Sequence, residues 1–497
     1  MLLISPETGR LPKKMGPLAG YISGKSGGLG EVVAALCEGL TQRGIECHLA
    51  TLNLEERFRR ECKLDEDSWY AVRHHVDPEK IHLVNSSFIS SLDSAYAGNP
   101  LQNAAEFQRQ IVNYMVGNVR AQYGGRLIIH SHDWMAGGII TAYAKRWGFP
   151  VLHTLHNVHT GEIPREMFYG VDLHPLTSYL YNAYGSGGGA IDAHATAIKN
   201  ANLVSFVGHR FLREVVAGFF SDHSLFSPGL RQEIKEKYDH GATLTILNSP
   251  SASLYPERGG HLAVPFGPDD DILAAKRTNL VEFQKRTGLQ INPEAVLLYW
   301  PSRLDPMQKG IHLLEDLAHR FVIEHEDTQI AIIGNGVGED RRHEEICGRI
   351  AWSSGGKIAY HRFSEPLSML GFAAASDVFG ASLYEPCGQI DQIGNLYGTT
   401  ATNRDTGGYH DKIRELTVTL DGGSEGAGNG FLFRDYDVGG LWYGLHRAVE
   451  FHRLPAQVRE RQLRRIMKEA RQKHSPDRMV DQYLAAYEQL NGGIPLL

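Results

Sequence analysis

The chain has little cysteine, a weak net charge and no long apolar run, and each shortage argues against a class of protein. Its five cysteines, an odd number without any C-x-x-C spacing, argue against a disulfide framework or a zinc knuckle and favour a reducing cytoplasm. The net charge of −7 over 497 residues argues against nucleic acid or anionic lipid as a main partner. No apolar run approaches a membrane span, and the apolar N-terminal stretch is too short for a signal peptide.

Three common signatures of active sites are also missing or out of context. The dinucleotide fingerprint G-x-G-x-x-G does not follow the first predicted strand. The pattern G-x-S-x-G occurs at 24–28, where chance explains it in glycine-rich sequence, and at 422–426, where no helix follows it. The histidines at 130, 132, 153, 156 and 159 lie at different strand ends, without a helical pair or a cysteine partner. We therefore predict neither a metal site nor a bound cofactor.

What the chain does have is an alternation of strand and helix patterns that restarts in its second half. Such alternation produces parallel sheets with helices on both faces. The length also exceeds one ordinary core. We predict an α/β protein with two doubly wound, Rossmann-like domains, a linker within 250–290, and no assignable elements over 55–110. The predicted divisions are a first domain at 1–255, a second at 256–475, and a C-terminal helix at 476–497 that packs back on the first domain.

The most informative segment is a glycine-rich turn at 25–31 that runs into an amphipathic helix. Gly27 and Gly28 allow the backbone to turn sharply and to approach a ligand closely. A helix N-terminus offers unpaired N–H groups, and Lys25 adds a mobile charge, so the segment suits a phosphate. We therefore expect a phosphorylated ligand.

Two clusters in the second half suggest the same kind of ligand. Arg303 and Lys309 follow a predicted strand and suit a pyrophosphate, although a solvated basic turn explains them equally well. Glu385 opens the segment E-P-C-G-Q, whose backbone N–H groups at 387–389 are able to cap a phosphate or sugar oxygen. Its carboxylate is able to accept hydrogen bonds from sugar hydroxyls, or merely favours the dipole of the following helix.

Six motifs, taken in this order, resemble those of bacterial glycogen and starch synthases, which are retaining glycosyltransferases of GT-B architecture. The resemblance spans about residues 20–411 and implies two Rossmann-like domains facing across a cleft. The segments that carry it are KSGGLGEVV at 25–33, HSHDWM at 130–135, TLHN at 154–157, SRLDPMQKG at 302–310, EPCGQID at 385–391 and RDTGGYHD at 404–411.

The resemblance implies a site and a reaction. Arg303 and Lys309 would neutralise the diphosphate leaving group of a nucleoside-diphosphate sugar, without a metal ion. Glu385 would hold the donor sugar, and the backbone carbonyl of His156 would steady positive charge at the anomeric carbon. Tyr360 matches a tyrosine that stacks on the base. The implied catalytic residues are His156, Arg303, Lys309 and Glu385, and the implied donor-binding residues are Lys25, Gly27, Gly28, Asp133, Asn157, Tyr360, Cys387, Gly388 and Gln389.

The departures from the family pattern leave the substrates open. Ile390 and Asp391 replace a hydroxyl and an amide residue, which makes them candidates for a changed base or sugar preference. We expect transfer of a sugar, with glucose favoured, to a glucan or another carbohydrate. The alternatives are a transferase that makes a small solute or sugar-phosphate glycoside, with a glycine-rich loop at 185–189 as phosphate site, a GT-B-like epimerase, and a non-catalytic sugar-binding protein. A homo-oligomer is compatible with the sequence.

Overall fold

The structure is a computed structural model that describes residues 1–24, 27–74, 80–84, 86–115, 117, 127–183, 187–220, 225–337, 341–418 and 426–496. Contacts between residues divide the chain into two compact units. The first unit comprises Met1–Asn248 and Pro476–Leu497, and the second comprises Ser249–Ser475. The sequence predicted this division after residue 255, whereas the structure divides after Asn248.

The first unit contains a parallel sheet. Its described strands are β1 (Leu2–Ile4), β2 (His48–Leu52), β3 (Ile81–Val84), β4 (Ile129–His132), β5 (Val151–Leu155), β6 (Glu162–Pro164), β7 (Ala190–Asp192), β8 (Leu203–Phe206) and β9 (Thr243–Thr245). Seven of these described strands form the sheet, in the order β3-β2-β1-β4-β5-β8-β9, with every neighbouring pair parallel. The strands β6 and β7 pair antiparallel beside it.

Some helices of the first unit lie within residues 55–110, a region for which the sequence predicted no elements. Residues 55–110 contain two helices, the strand β3 and the start of a third helix. In the first helix, the predicted core face of Val33, Leu36, Cys37 and Leu40 is fully buried, which confirms the helical period. The described helices up to residue 248 are α1 (Gly28–Gln42), α2 (Glu55–Cys62), α3 (Glu66–Arg73), α4 (Pro100–Tyr114), α5 (Ile139–Arg146), α6 (Ala193–Asn200), α7 (His209–Ala217) and α8 (Pro228–Asp239).

The second unit contains a second parallel sheet, which confirms the predicted α/β class. Its described strands are β10 (Val296–Trp300), β11 (Thr328–Ile333), β12 (Ile358–His361), β13 (Asp377–Gly380), β14 (Thr400–Arg404) and β15 (Gly430–Phe433), in the order β12-β11-β10-β13-β14-β15. The sheet is buried on both faces. Along β10, Leu297 and Tyr299 enter one apolar core, and Leu298 and Trp300 enter the other, as the alternation of side chains in a strand requires.

The second unit surrounds this sheet with helices. The first of them occupies much of the segment that the sequence assigned to a linker at 250–290. Among the helices of the described residues, none combines the length and apolar character that a bilayer crossing requires. The described helices of this unit are α9 (Ile272–Thr287), α10 (Ile311–Glu324), α11 (Arg342–Ser353), α12 (Glu365–Ala374), α13 (Ile390–Leu396), α14 (Gly407–Lys412), α15 (Val438–His452) and α16 (Ala456–Lys473).

The helix α17 (Pro476–Leu490) packs against α1 of the first unit. The two helices approach so closely at Gly39 that a Cβ atom there would lie 2.4 Å from a methyl carbon of Val480. Tyr483 and Tyr487 on the same helix are fully buried, and the Tyr487 hydroxyl lies 2.7 Å from Nδ1 of His130 in β4. The helix therefore completes the core of the first unit.

Candidate functional site

In each parallel sheet the strand order reverses at one point, and ligands of such sheets bind beyond the C-terminal strand ends there. In the first sheet the reversal lies between β1 and β4, and Glu7 and Asp133 follow these two strands. In the second sheet it lies between β10 and β13, and Lys309 and Glu385 follow these strands. Each unit thus has a polar cluster at the position where its fold favours a ligand.

In the second unit, Lys309 and Glu385 form a buried ion pair. The Lys309 Nζ atom lies 2.5 Å from Oε2 of Glu385, and the two side chains are 14% and 6% exposed. The Ser382 hydroxyl donates to the same oxygen at 2.9 Å. Burial alone would raise the pKa of Glu385, but Lys309, this hydroxyl and Lys412 outweigh burial and lower it. Glu385 is therefore a carboxylate at neutral pH.

Arg303 lies on the same loop as Lys309 but stays open to solvent. Its Nη2 donates to Oε1 of Gln308 at 2.7 Å, and its Nη1 lies 3.7 Å from a carboxylate oxygen of Asp305. Asp305 also accepts the backbone N–H of Gln308 at 3.0 Å, which fixes the turn. Half of the Arg303 side chain is exposed, so the guanidinium is anchored on one side and accessible on the other.

The turn that carries Glu385 is interlocked with the glycine turn that opens α14. The N–H of Gly408 donates to the carbonyl oxygen of Glu385 at 2.9 Å. A Cβ atom on Gly407 would lie 1.8 Å from that oxygen, and one on Gly408 would lie 2.0 Å from the carbonyl oxygen of Cys387. Only glycine fits at both positions, so neither turn is able to shift without the other.

Asp391 is buried in the interior of the second unit. It forms an ion pair with Lys412 at 2.8 Å, and both side chains are fully buried. Any influence of Asp391 on the preference for base or sugar is therefore indirect, through Lys412 and the turn that it contacts. Ile390 is partly buried against the apolar core of the second unit.

The remaining residues of this unit that were predicted to bind the donor lie along the same sheet. Cys387 is buried, and the Gln389 side-chain nitrogen is buried without a hydrogen-bond partner among the described residues. Tyr360 lies in β12 and donates to the carbonyl of Gly334 at 3.3 Å, while burial raises its pKa to about 12. Since β11 and β10 separate β12 from β13, Tyr360 lies about 14 Å across the sheet from the strand that precedes Glu385.

In the first unit, Asp133 ties together the loops that follow β4 and β5. Its Oδ1 accepts the backbone N–H groups of His156 at 2.7 Å and Asn157 at 3.2 Å. Burial raises its pKa to about 7, against the lowering effect of these two bonds and with the help of the nearby Glu7. Its φ of +56° lies in the left-handed region, where residues other than glycine are strained. Such strain is typical of a functional position.

The histidines that the sequence analysis weighed as metal ligands contact each other and neighbouring hydroxyl groups. His156 Nε2 lies 3.1 Å from Nδ1 of His132, and His130 contacts the hydroxyls of Tyr487 and Thr154. Burial lowers the pKa of His156 to about 3, which keeps its ring neutral. Among the described residues, no group of three histidine, cysteine or acidic side chains is arranged to hold a metal ion.

The glycine turn of the first unit is only partly described. Lys25 lies outside the described residues, as do residues 185 and 186 of the glycine-rich loop. Gly27 is exposed, and its N–H donates to Oε2 of Glu7 at 2.8 Å, while Gly28 begins α1. Sequence reasoning missed Glu7, although an acidic residue directly after the first strand was a usable signal.

Comparisons with known proteins agree with this geometry. Residues 19–232 match the family model described as the starch synthase catalytic domain. A glycogen synthase of Bacillus licheniformis is 27% identical over 455 residues, which cover 86% of this chain and 88% of that protein. The catalytic domain of starch synthase IV from Arabidopsis thaliana, bound to ADP and acarbose, superposes with a TM-score of 0.72 at 20% identity, covering 97% of this chain and 99% of that one. Anabaena HepE, in complex with UDP and glucose, superposes with a TM-score of 0.55 at 14% identity, covering 98% and 99%. This chain is a glycosyltransferase with the GT-B fold, and it is similar to glycogen and starch synthases over most of its length.

Proposed function

We propose that the chain transfers glucose from a nucleoside-diphosphate sugar to a glucan or a related carbohydrate, with retention of configuration. The similar proteins support this choice, since one is a glycogen synthase and another is a starch synthase bound to ADP and acarbose. We further propose that the reaction needs no metal ion or cofactor. None of the five cysteines, all of which the structure describes, forms a disulfide bond, and this supports a reducing cytoplasm as its location.

The observation that carries the proposal is the order of three groups along the C-terminal edge of the second sheet. Glu385 follows β13, the loop of Arg303 and Lys309 follows the neighbouring β10, and Tyr360 lies two strands further on in β12. A nucleoside-diphosphate sugar has the same order of parts, namely sugar, diphosphate and base. Carboxylate, paired cations and an aromatic ring are the groups that suit these parts in turn.

The charges of this edge fit the bond that must break. Departure of the nucleoside diphosphate places negative charge on the phosphate and positive charge on the sugar. Arg303 is anchored by Gln308 and yet half exposed, so its guanidinium is oriented before the donor arrives. Fixed cations of this kind stabilise charge that develops in the transition state without further reorganisation. Arg303 and Lys309 therefore act on the leaving group, and Glu385 acts on the donor sugar.

In the first unit we propose that the loop after β5 binds the donor sugar and stabilises the positive charge that develops on it. Asp133 accepts the N–H groups of both His156 and Asn157, so the backbone there is held in one orientation. We propose that the carbonyl of His156 stabilises positive charge on the sugar and that Asn157 and Asp133 bind hydroxyls. The neutral imidazole of His156 is consistent with a role for its backbone, since it adds no charge of its own.

The donor is tested by thermal shift with ADP-, UDP- and GDP-sugars. A ligand that binds the folded state alone raises the melting temperature, so one member of the panel should stand out. Incubation of that sugar without acceptor then separates a transferase, which hydrolyses the donor slowly, from an epimerase, which changes the sugar.

The residue assignment is tested with Arg303→Ala. Removal of one fixed donor from a charge-stabilising site costs about 2–4 kcal/mol, so kcat/KM should fall about 30- to 1,000-fold. The matched control is Arg277→Ala, because Arg277 has a similar exposure of 52% and only a surface pair with Glu294. Unchanged donor binding and turnover in Arg303→Ala would refute the diphosphate assignment.

A further inference from the structure

The interlocked turns of the second unit rest on a buried lysine that has no part in the proposed chemistry. Lys412 ends α14, and its Nζ donates to Oδ1 of Asp391 at 2.8 Å and to the carbonyl oxygen of Gly388. The side chains of Lys412 and Asp391 are 0% and 1% exposed. Asp391 occupies the position where the corresponding motif of glycogen and starch synthases has glutamine. The carboxylate of the pair is therefore a departure from that motif.

We propose that Lys412, held in place by Asp391, is a positioning residue that sets the orientation of the peptide between Gly388 and Gln389 for donor binding. The proposal rests on the donor site assigned above to the E-P-C-G-Q turn. It adds a residue that contacts neither donor nor acceptor.

The planarity of the peptide bond fixes the direction of its N–H relative to its C=O. In a trans peptide the C=O of one residue and the N–H of the next point in opposite directions. Since Lys412 binds the carbonyl of Gly388 from the buried side, the N–H of Gln389 points away from the interior. That amide belongs to the segment 387–389, which is able to cap a phosphate or sugar oxygen.

Gly388 makes such an anchor necessary. Its φ is +68°, and glycine populates both signs of φ readily, so this peptide is able to rotate at little cost. The close contact of Gly388 with Tyr409, where a Cβ atom would lie 2.4 Å from the ring, keeps a larger residue out. A hydrogen bond from a charged donor is stronger than one from a neutral donor, so Lys412 holds the peptide more firmly than a hydroxyl would.

Asp391 explains how a lysine is tolerated there. A buried ammonium without a counter-ion would lose its proton or destabilise the fold. Burial lowers the pKa of Lys412, but Asp391 and the neighbouring acidic groups outweigh it and raise the pKa above its ordinary value. The lysine therefore stays charged. Its bond to the carbonyl of Gly388 sets the geometry of the turn, in addition to its effect on the pKa of Glu385.

The test separates positioning from ordinary stabilisation. The single variants Lys412→Met and Asp391→Asn each leave a buried group without its partner, and both should lower the melting temperature. The double variant Asp391→Asn/Lys412→Met removes both charges and should recover most of that loss. If Lys412 positions the turn, the double variant still shows a donor KM raised about 10- to 100-fold and an unchanged acceptor KM.

The matched control is another buried lysine of the same unit. Lys276 is 7% exposed and donates to the carbonyl of Tyr397 and the hydroxyl of Thr399. Lys276→Met should alter stability without altering the donor KM, and it provides the comparison if the double variant stays less stable than wild type. A double variant with wild-type donor KM and kcat would overturn the inference.

The same variants distinguish a failure of the proposed function from a failure of the proposed role of Lys412. If Arg303→Ala loses activity while the double variant keeps it, the proposed function stands and the role of Lys412 falls. If the wild-type protein uses no nucleoside-diphosphate sugar at all, both fall together.

Discussion

A methyl group added to Gly407 would force apart the two turns on which the proposed donor site depends. The added Cβ atom of Gly407→Ala would lie 1.8 Å from the carbonyl oxygen of Glu385, against about 3.4 Å for ordinary contact. The backbone on both sides is rigid, so the turns must separate by about 1.6 Å. The φ of +45° at Gly407 adds left-handed strain of roughly 1–2 kcal/mol for an alanine.

The expected loss of stability is the sum of three effects. To that strain the separation adds the bond between Gly408 N–H and Glu385, worth about 1 kcal/mol, and an overpacking cost of about 1–3 kcal/mol. The free energy of unfolding of the second unit should therefore fall by roughly 3–6 kcal/mol. A displacement of more than 1 Å should also lower kcat/KM by about 100-fold or more.

Urea unfolding and donor kinetics measure these two effects. The matched control is Gly439→Ala, since Gly439 lies in the exposed first turn of α15 and its added Cβ would meet only Asp437 Oδ1, at 3.3 Å. That substitution should change stability by less than about 1 kcal/mol. If Gly407→Ala unfolds at the same urea concentration as Gly439→Ala, the interlocking of the turns does not matter for the fold.

Three further predictions concern buried groups. Burial raises the pKa of Asp133 to about 7, so the folded protein retains a proton that the unfolded chain has released and loses stability from pH 4 to pH 7. The variant Asp133→Asn has no such titrating group. Its unfolding free energy relative to wild type should therefore rise by up to about 4 kcal/mol between pH 4 and pH 7, and a difference that does not depend on pH would refute the prediction. Burial lowers the pKa of Lys276 to about 7, so wild-type stability should rise relative to Lys276→Met from pH 7 to pH 10, and parallel stability curves would contradict this. A chain ending at Ser475 loses the buried rings of Tyr483 and Tyr487, and its first unit should become protease-sensitive while the second resists; equal resistance of both units would refute the role of α17.

Local patterns were enough to predict much of the fold. Apolar alternation and helical spacing predicted two α/β domains, the helix after the glycine turn and the C-terminal helix, because each pattern depends on residues within one or two turns of each other. The same reasoning placed Arg303 and Glu385 after strands, and the sheet order then put both at the reversal point of the second unit. Fold class and the approximate place of the site followed from these features.

Partners far apart in sequence could not be predicted in this way. The pair of Asp391 and Lys412 joins residues 21 positions apart, and the bond between Glu7 and Gly27 joins residues 20 apart. The strand β14 is buried although most of its side chains are polar. Its Thr400 is nevertheless satisfied internally, since the hydroxyl bonds Asp377 at 2.6 Å and lies 3.0 Å from Nε2 of His452.

The position of α17 has a consequence for the order in which the protein folds during synthesis. The second unit is a continuous segment of residues 249–475, so its core is complete as soon as that segment has left the ribosome. The first unit begins earlier but must wait for residues 476–490 to cover α1 and His130. At about 5–20 residues per second, translation of the intervening segment takes roughly 10–45 s. During that interval the side of α1 that α17 covers, around Gly39, stays exposed, and transiently exposed apolar surface of this kind is what chaperones bind.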